Sequence, residues 1–218
     1  KSVNAGLDNL HKNVLKNKRF DLVEGDITDH SFIVNIACKY KPEEWYNLAA
    51  QSNVGQSFKE PLYTFDINAK AVASQLDAIR MFNPSTRFYQ ASTSELWGGL
   101  ECPPGGYTEE MGFHPRSPYG VAKLAAYWSV VNYREAYSLY ACNGILHNHS
   151  SPRRGIDFAT RKITDGVARV KLGLSKHIHM GDLSAFRDEG HSKDYVEAMW
   201  LMLQQEEPVD YVISTGDG

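Results

Sequence analysis

Tyr119 and Lys123 stand four residues apart in the run Tyr119-Gly120-Val121-Ala122-Lys123. On a helix that spacing puts phenol and ammonium on one face, a turn apart. A neighbouring ammonium stabilises phenolate, so Lys123 is expected to lower the Tyr119 pKa and make the phenol a proton shuttle near neutral pH. Alone the pair is a weak signal, because a chain with 12 tyrosines offers such spacings by chance on surface helices. Upstream stands Ala91-Ser92-Thr93-Ser94-Glu95. Thr93 brings a hydroxyl able to hydrogen-bond a substrate oxygen, and Glu95 brings a carboxylate. Ser or Thr followed by Glu is also helix-cap grammar, so this run leaves both roles open. Together, hydroxyl, carboxylate, phenol and ammonium form a set suited to oxidising an alcohol and removing a proton beside the new carbonyl.

These groups need a scaffold, and the hydrophobic pattern supplies one. Apolar β-prone runs at Phe20–Glu24, Glu44–Leu48, Arg87–Ala91, Tyr140–Leu146, His177–Met180 and Tyr211–Ser214 are expected strands. Helical patterns lie between them, near Ser31–Tyr40, Tyr63–Met81, Pro118–Leu139, Asp157–Leu172 and His191–Gln205. Such alternation is the signature of a parallel α/β sheet. Ligands of open parallel sheets bind outside the carboxyl ends of the strands. Gly25-Asp26, Ala49-Ala50-Gln51-Ser52 and Ser92-Thr93-Ser94 occupy those ends. The sequence contains no GxGxxG run, and the ~30-residue βαβ unit that would carry one is not in it. The expectation is therefore a part of a longer chain.

The remaining features narrow the function class. A net charge of -3 supplies no general field for nucleic acid or an anionic membrane, so an anionic ligand must meet a local cluster. Arg153, Arg154, Arg161, Lys162 and Arg187 are such a set, suited to a nucleotide diphosphate, or else a solvated basic face. Cys38, Cys102 and Cys142 are few, dispersed and odd in number, the pattern of reduced thiols in the cytoplasm. No apolar run reaches the ~18 residues of a membrane span, and no signal-peptide core opens the sequence. His147/His149 and His177/His179 lack a third ligand at suitable spacing, so no metal is expected. The Asn148-His149-Ser150 sequon is idle in a cytoplasmic protein.

Several longer runs resemble the GDP-mannose 4,6-dehydratases of the extended short-chain dehydrogenase/reductase superfamily. They are Phe88–Leu96, Pro115–Lys123, Tyr127–Glu135, Asn143–Gly155 and Thr160–Ile163, with matching segments from about Phe20 onward. The Pro152-Arg153-Arg154-Gly155 and Thr160-Arg161-Lys162-Ile163 segments are far more specific than the Tyr/Lys pair. The resemblance implies a Rossmann-like doubly wound parallel sheet, incomplete without its first βαβ unit, and part of a smaller substrate-binding lobe. The dinucleotide-binding portion would be residues 1–147 and the substrate-nucleotide portion residues 148–218.

Carried over by position, the catalytic residues would be Thr93, the base Glu95, Tyr119 and Lys123. NADP would be bound by Asp26, Ile27, Leu48, Ala49, Ala50, Gln51, Ser52, Tyr63, Lys123, His149 and Arg154. GDP-mannose would be bound by Ser52, Asn148, Lys162 and Arg187. The implied activity is a lyase reaction giving GDP-4-keto-6-deoxymannose, with transient hydride transfer to tightly held NADP, water elimination and hydride return. The implied assembly is a homodimer or homotetramer, with no nucleic-acid or membrane partner. An epimerase or reductase of the same superfamily, or an inactive binding relative, is the alternative. The chain departs from the family pattern in three places. A short insertion lies in the Gly/Pro-rich stretch between Glu95 and Tyr119, Glu189 stands where the family has Trp, and Ser150 stands where it has Glu.

Overall fold

The computed structural model describes residues 12–181 and 187–217. Along the chain run α1 (Lys12–Leu15), α2 (His30–Tyr40), β1 (Glu44–Asn47), α3 (Val54–Ser57) and α4 (Pro61–Phe65). A π-helical turn, Asp66–Lys70, joins α4 without a break to α5 (Ala71–Phe82). Then come β2 (Arg87–Ala91), a 3-10 turn (Ser94–Leu96), α6 (Pro118–Tyr137) and β3 (Ala141–Leu146). The last elements are β4 (Asn148–Ser150), α7 (Ala159–Lys171), β5 (Glu189–His191), α8 (Ser192–Gln204) and β6 (Tyr211–Ile213).

Four strands form one parallel sheet in the order β1-β2-β3-β6, and β4 and β5 form a separate parallel pair. Strand alternation sorts the core into two layers. Phe88 of β2 packs among Val72, Leu76 and Ile79 of α5 and Val130 of α6. Its neighbour Tyr89 points the other way, into Met199, Met202 and Leu203 of α8. The middle strand β3 is buried along its whole length, as expected for a strand covered on both faces. Helices on both sides of a parallel sheet make the expected doubly wound fold.

Local chemistry sets the helix ends. The Asp29 carboxylate accepts from the Ser31 and Phe32 amides to start α2. Ser117 accepts from Gly120 N at 3.0 Å, with Pro118 in the first turn, to start α6. That helix ends at Tyr137, two residues short of the expected end, because the capping Ser138 is left-handed with a φ of 54°. An ion pair with a buried carboxylate and a half-buried guanidinium then ties α6 to the segment before β6. Asp210, just before β6, accepts from Arg134 Nη1 at 2.8 Å, Arg134 Nη2 at 3.0 Å and Asn143 N at 2.7 Å.

Two expected strands do not form. Phe20–Glu24 lies outside the sheet, where β1 is the edge strand, and its apolar Leu22 and Val23 are 47% and 43% exposed. A strand with neither a ladder partner nor a face to bury has nothing to hold it. His177–Met180 is irregular because Ile178 packs onto Gly166 of α7 instead of joining the sheet. In its place the second parallel pair is built by β4 and β5, two three-residue strands too short for periodicity to reveal.

Candidate active site

The carboxyl end of β2 delivers the first functional group. Thr93 continues from β2 in extended conformation (φ −158°, ψ 146°), and its hydroxyl oxygen accepts from Glu95 N at 3.2 Å. The same hydroxyl lies close to the Tyr119 phenol and favours its ionised form. The capping contact expected of such a run is therefore present, and the hydroxyl that makes it lies next to a buried phenol. The turn is anchored by Leu96 and Trp97, 0% and 1% exposed, which leaves the half-buried Glu95 side chain facing a cleft.

Tyr119 comes from the first turn of α6 and is 8% exposed. Its neighbour Gly120 lets this helix start lie directly on the Ser94–Leu96 turn, since a Cβ there would sit 3.1 Å from the Glu95 carbonyl oxygen. One turn on, Lys123 is 4% exposed and donates to the Ala91 carbonyl at 2.8 Å, tying α6 to the end of β2. Its Nζ lies 5.9 Å from the centre of the Tyr119 ring.

The electrostatics overturn one expectation. Burial pushes the Tyr119 phenol up to about 12 rather than letting Lys123 draw it down. The Thr93 hydroxyl opposes that rise, the Glu95 carboxylate adds to it, and Arg154 opposes it. Burial also brings the Lys123 ammonium down to about 8. Desolvation disfavours the charged form of both groups, and in this pocket it outweighs their mutual attraction.

A cleft of about 660 Å³ opens beside Glu95, lined among others by Tyr107, His147, Asn148, Arg187 and Asp188. Its lining includes Gly105 and Gly106, with φ of 97° and 88°. Tyr107 stacks on Trp97 with ring centres 4.6 Å apart. Asp188 accepts from the amides of Thr215 and Gly216, which holds the segment after β6 against this wall.

The residues expected to meet a cofactor fall into three groups. Leu48, Ala49, Ala50, Gln51 and Ser52 follow β1 as a largely exposed segment, with Leu48 56% exposed. Asn68, in the π-helical turn, braces it through both backbone polar groups of Gln51. Asp26 is exposed and holds Thr28 N and Oγ1, contacts that lower its pKa, while Ile27 packs beside Ile33 and Ala37. Tyr63 lies exposed on α4. On the opposite side, His149 of β4 stacks on Tyr195 at 4.2 Å, and Arg154 donates to the His149 carbonyl at 3.1 Å. Arg154 also lies over the Phe158 ring at 4.0 Å, and its Nε is buried with no hydrogen-bond partner. A buried orphan donor near Tyr119 fits a ligand that brings its own anionic or polar acceptors.

The structure therefore gathers Thr93, Glu95, Tyr119, Lys123 and Arg154, and it places Asn148 and Arg187 with Glu95 in the cleft wall. It does not bring Lys162 or Ser52 to that wall, and both are exposed. Sequence reasoning missed Asn68, Tyr107, His147 and Asp188. For Asn68 and Tyr107 the signal is tertiary, whereas His147 immediately precedes Asn148 and Asp188 immediately follows Arg187. Among the described residues, no three or more His, Cys, Asp or Glu side chains could hold a metal ion. No helix among them is long and apolar enough to cross a membrane.

Comparison with known proteins places this geometry. The family profile described as GDP-mannose 4,6 dehydratase matches residues 1–218. A GDP-mannose 4,6-dehydratase of Vibrio cholerae is 54% identical over 202 residues, 92% of this chain and 54% of that protein. The Homo sapiens protein named GDP-mannose 4,6 dehydratase is 51% identical over 222 residues, 99% of this chain and 59% of its own length. The chain thus spans little more than half of these relatives. Among solved structures, RMD from Pseudomonas aeruginosa complexed with NADPH superposes with a TM-score of 0.83, covering 89% of this chain and 67% of that one. It shares 24% identity and so bears on the fold alone. With a profile match along its whole length and relatives identical at about half of the aligned positions, the chain belongs to the GDP-mannose 4,6-dehydratase family.

Proposed function

We propose that the protein carrying this chain converts GDP-mannose to GDP-4-keto-6-deoxymannose, with NADP as its cofactor. The observation that carries this reading is the buried phenol of Tyr119 with the Thr93 hydroxyl and the Glu95 carboxylate both near enough to shift its ionisation. A hydroxyl and a phenol alone suit any alcohol oxidation in this superfamily, whereas a base beside them suits an elimination.

In this reading Tyr119 takes the proton from the sugar C4 hydroxyl. Thr93 stabilises the phenolate by donating to it, and Arg154 adds positive charge nearby. Lys123 fixes α6 to β2 through Ala91 and keeps the phenol in reach of Thr93. NADP, when bound, supplies the reversible oxidation and reduction of the sugar carbons. Once C4 is a carbonyl, the proton on C5 becomes acidic, Glu95 removes it, and the C6 hydroxyl leaves as water.

Asp26, Ile27, Leu48 to Ser52, Tyr63, His149 and Arg154 would bind the cofactor. Asn148, Arg187, Lys162 and Ser52 would hold the GDP-sugar, the first two from the cleft wall. The division into residues 1–147 and 148–218 is supported by β4, which opens a second sheet at Asn148. We place the protein in the cytoplasm, where Cys38, Cys102 and Cys142 would remain the free thiols seen here, as a homodimer or homotetramer.

The full-length protein, given GDP-mannose and NADP, should release a GDP-sugar lighter by one water, as read by mass spectrometry. A product of unchanged mass would instead mean an epimerase and would remove the lyase assignment.

A further inference from the structure

Ser150 and Glu189, where the resemblance implies other residues, lie 39 residues apart in sequence. In the structure the two side chains are hydrogen-bonded to each other. The Ser150 hydroxyl donates to Glu189 Oε1, and Thr160 Oγ1, in the first turn of α7, donates to the same oxygen at 3.2 Å. The two hydroxyls lie 3.4 Å apart. One carboxylate oxygen therefore gathers β4, β5 and the start of α7.

What that junction holds is the cationic side of the site. β4 and β5 pair in register, Asn148 with Glu189 and His149 with Gly190. Gly190 has no side chain to block the Tyr195 ring, which would lie 2.4 Å from a Cβ there, and the ring is thus free to stack on His149. Arg154 is fixed to the same strand through the His149 carbonyl. Burial lowers both His149 and Arg154 from their ordinary values, and the Glu189 charge opposes that in each.

We infer that Glu189 is a positioning residue: with Ser150 and Thr160 it locks β4 to β5 and so sets His149 and Arg154 for the nicotinamide nucleotide. The assignment rests on the cofactor reading above. The two residues act as a pair across β4 and β5, and exchanging them keeps one carboxylate and one hydroxyl at the junction.

The test is an exchange in the full-length protein: Ser150→Glu, Glu189→Ser, and both together, with NADPH binding followed by fluorescence. Ser150→Glu sets two carboxylates side by side, and Glu189→Ser leaves hydroxyls without the carboxylate. Each single variant should weaken NADPH binding about tenfold, and the double should return to within about twofold of the parent, the coupling expected of residues in contact. Glu189→Gln, which keeps the shape, should weaken NADPH binding with kcat at saturating cofactor and the melting temperature close to the parent's. A role in mere folding would instead lower the melting temperature. Single-variant effects that multiply in the double, or a Glu189→Gln protein that binds NADPH as tightly as the parent, overturn the proposal. The parent reports separately on the cofactor reading. A parent that binds NADPH but leaves GDP-mannose intact sinks the dehydratase assignment and leaves the exchange test valid, whereas one that binds no NADPH overturns both.

Discussion

The side-chain amide of Asn68 satisfies both backbone polar groups of Gln51. Its Oδ1 accepts the Gln51 amide at 2.8 Å, and its Nδ2 donates to the Gln51 carbonyl at 2.9 Å. Asn68 is 1% exposed and sits in the π-helical turn between α4 and α5, a departure from α-helix geometry common at functional sites. The segment Leu48–Ser52 thus takes its shape from a residue that need not touch any ligand. Asn68→Ala should leave two backbone groups unpaired at about 1–3 kcal/mol. NADPH titration should show binding weakened by roughly tenfold, with Tyr119 chemistry retained at saturating cofactor. Unchanged affinity would mean that the brace is irrelevant to the cofactor segment.

Thr93 lowers the Tyr119 pKa and Glu95 raises it, so the two residues should move the pH profile in opposite directions. Removing the hydroxyl in Thr93→Val raises the phenol further, leaves less phenolate at any given pH, and shifts the rising limb of kcat/KM to higher pH. A Thr93→Val profile that only drops in height, with its limb unmoved, would assign Thr93 to the cap of the 3-10 turn alone.

Lys123 titrates near 8 in the folded chain because of burial, against an ordinary 10.5. Below pH 8 it is charged in both states, and folding bears the full desolvation penalty, on the order of 3 kcal/mol. Between 8 and 10.5 the unfolded chain binds more protons, so this part of the instability disappears as pH rises. Lys123→Met should therefore be inactive yet more stable than the parent at pH 7, with the gap in melting temperature narrowing towards pH 10. A gap that widens with pH would show that Lys123 is not desolvated.

Asp210 is 8% exposed and serves Arg134 and the Asn143 amide at once. Truncating it leaves a half-buried guanidinium without its carboxylate, which in such pairs costs about 3–5 kcal/mol. Denaturant unfolding should show Asp210→Ala strongly destabilised, and Arg134→Met placed on top of it should recover part of the loss. No recovery would mean that the Asn143 contact, rather than the ion pair, carries the stability.

How much of this was legible in the sequence depends on how local each signal is. The Tyr119/Lys123 face, the Ser117-Pro118 helix start and the β2 and β3 strands follow from neighbouring residues, and the structure has them where the pattern put them. Phe20–Glu24 carries the same kind of pattern, but a strand also needs a partner and a buried face, which residue types do not supply. Asn68 with Gln51 and Ser150 with Glu189 are pairings across 17 and 39 positions, with no motif to announce them. The sign of the Tyr119 shift failed for a related reason: spacing gives the ammonium's position but not the burial that outweighs it.

In the proposed reaction Glu95 and Tyr119 serve one sugar ring, the phenol at C4 and the carboxylate at C5. Glu95→Gln separates the two roles, because it keeps the turn and the Tyr119–Thr93 contact while removing the base. In deuterated water with GDP-mannose, the parent protein should release 4-keto-6-deoxy product carrying deuterium at C5. The Glu95→Gln protein should release that product at least about 100-fold more slowly. Product from Glu95→Gln at the parent's rate, with deuterium at C5, would contradict the account.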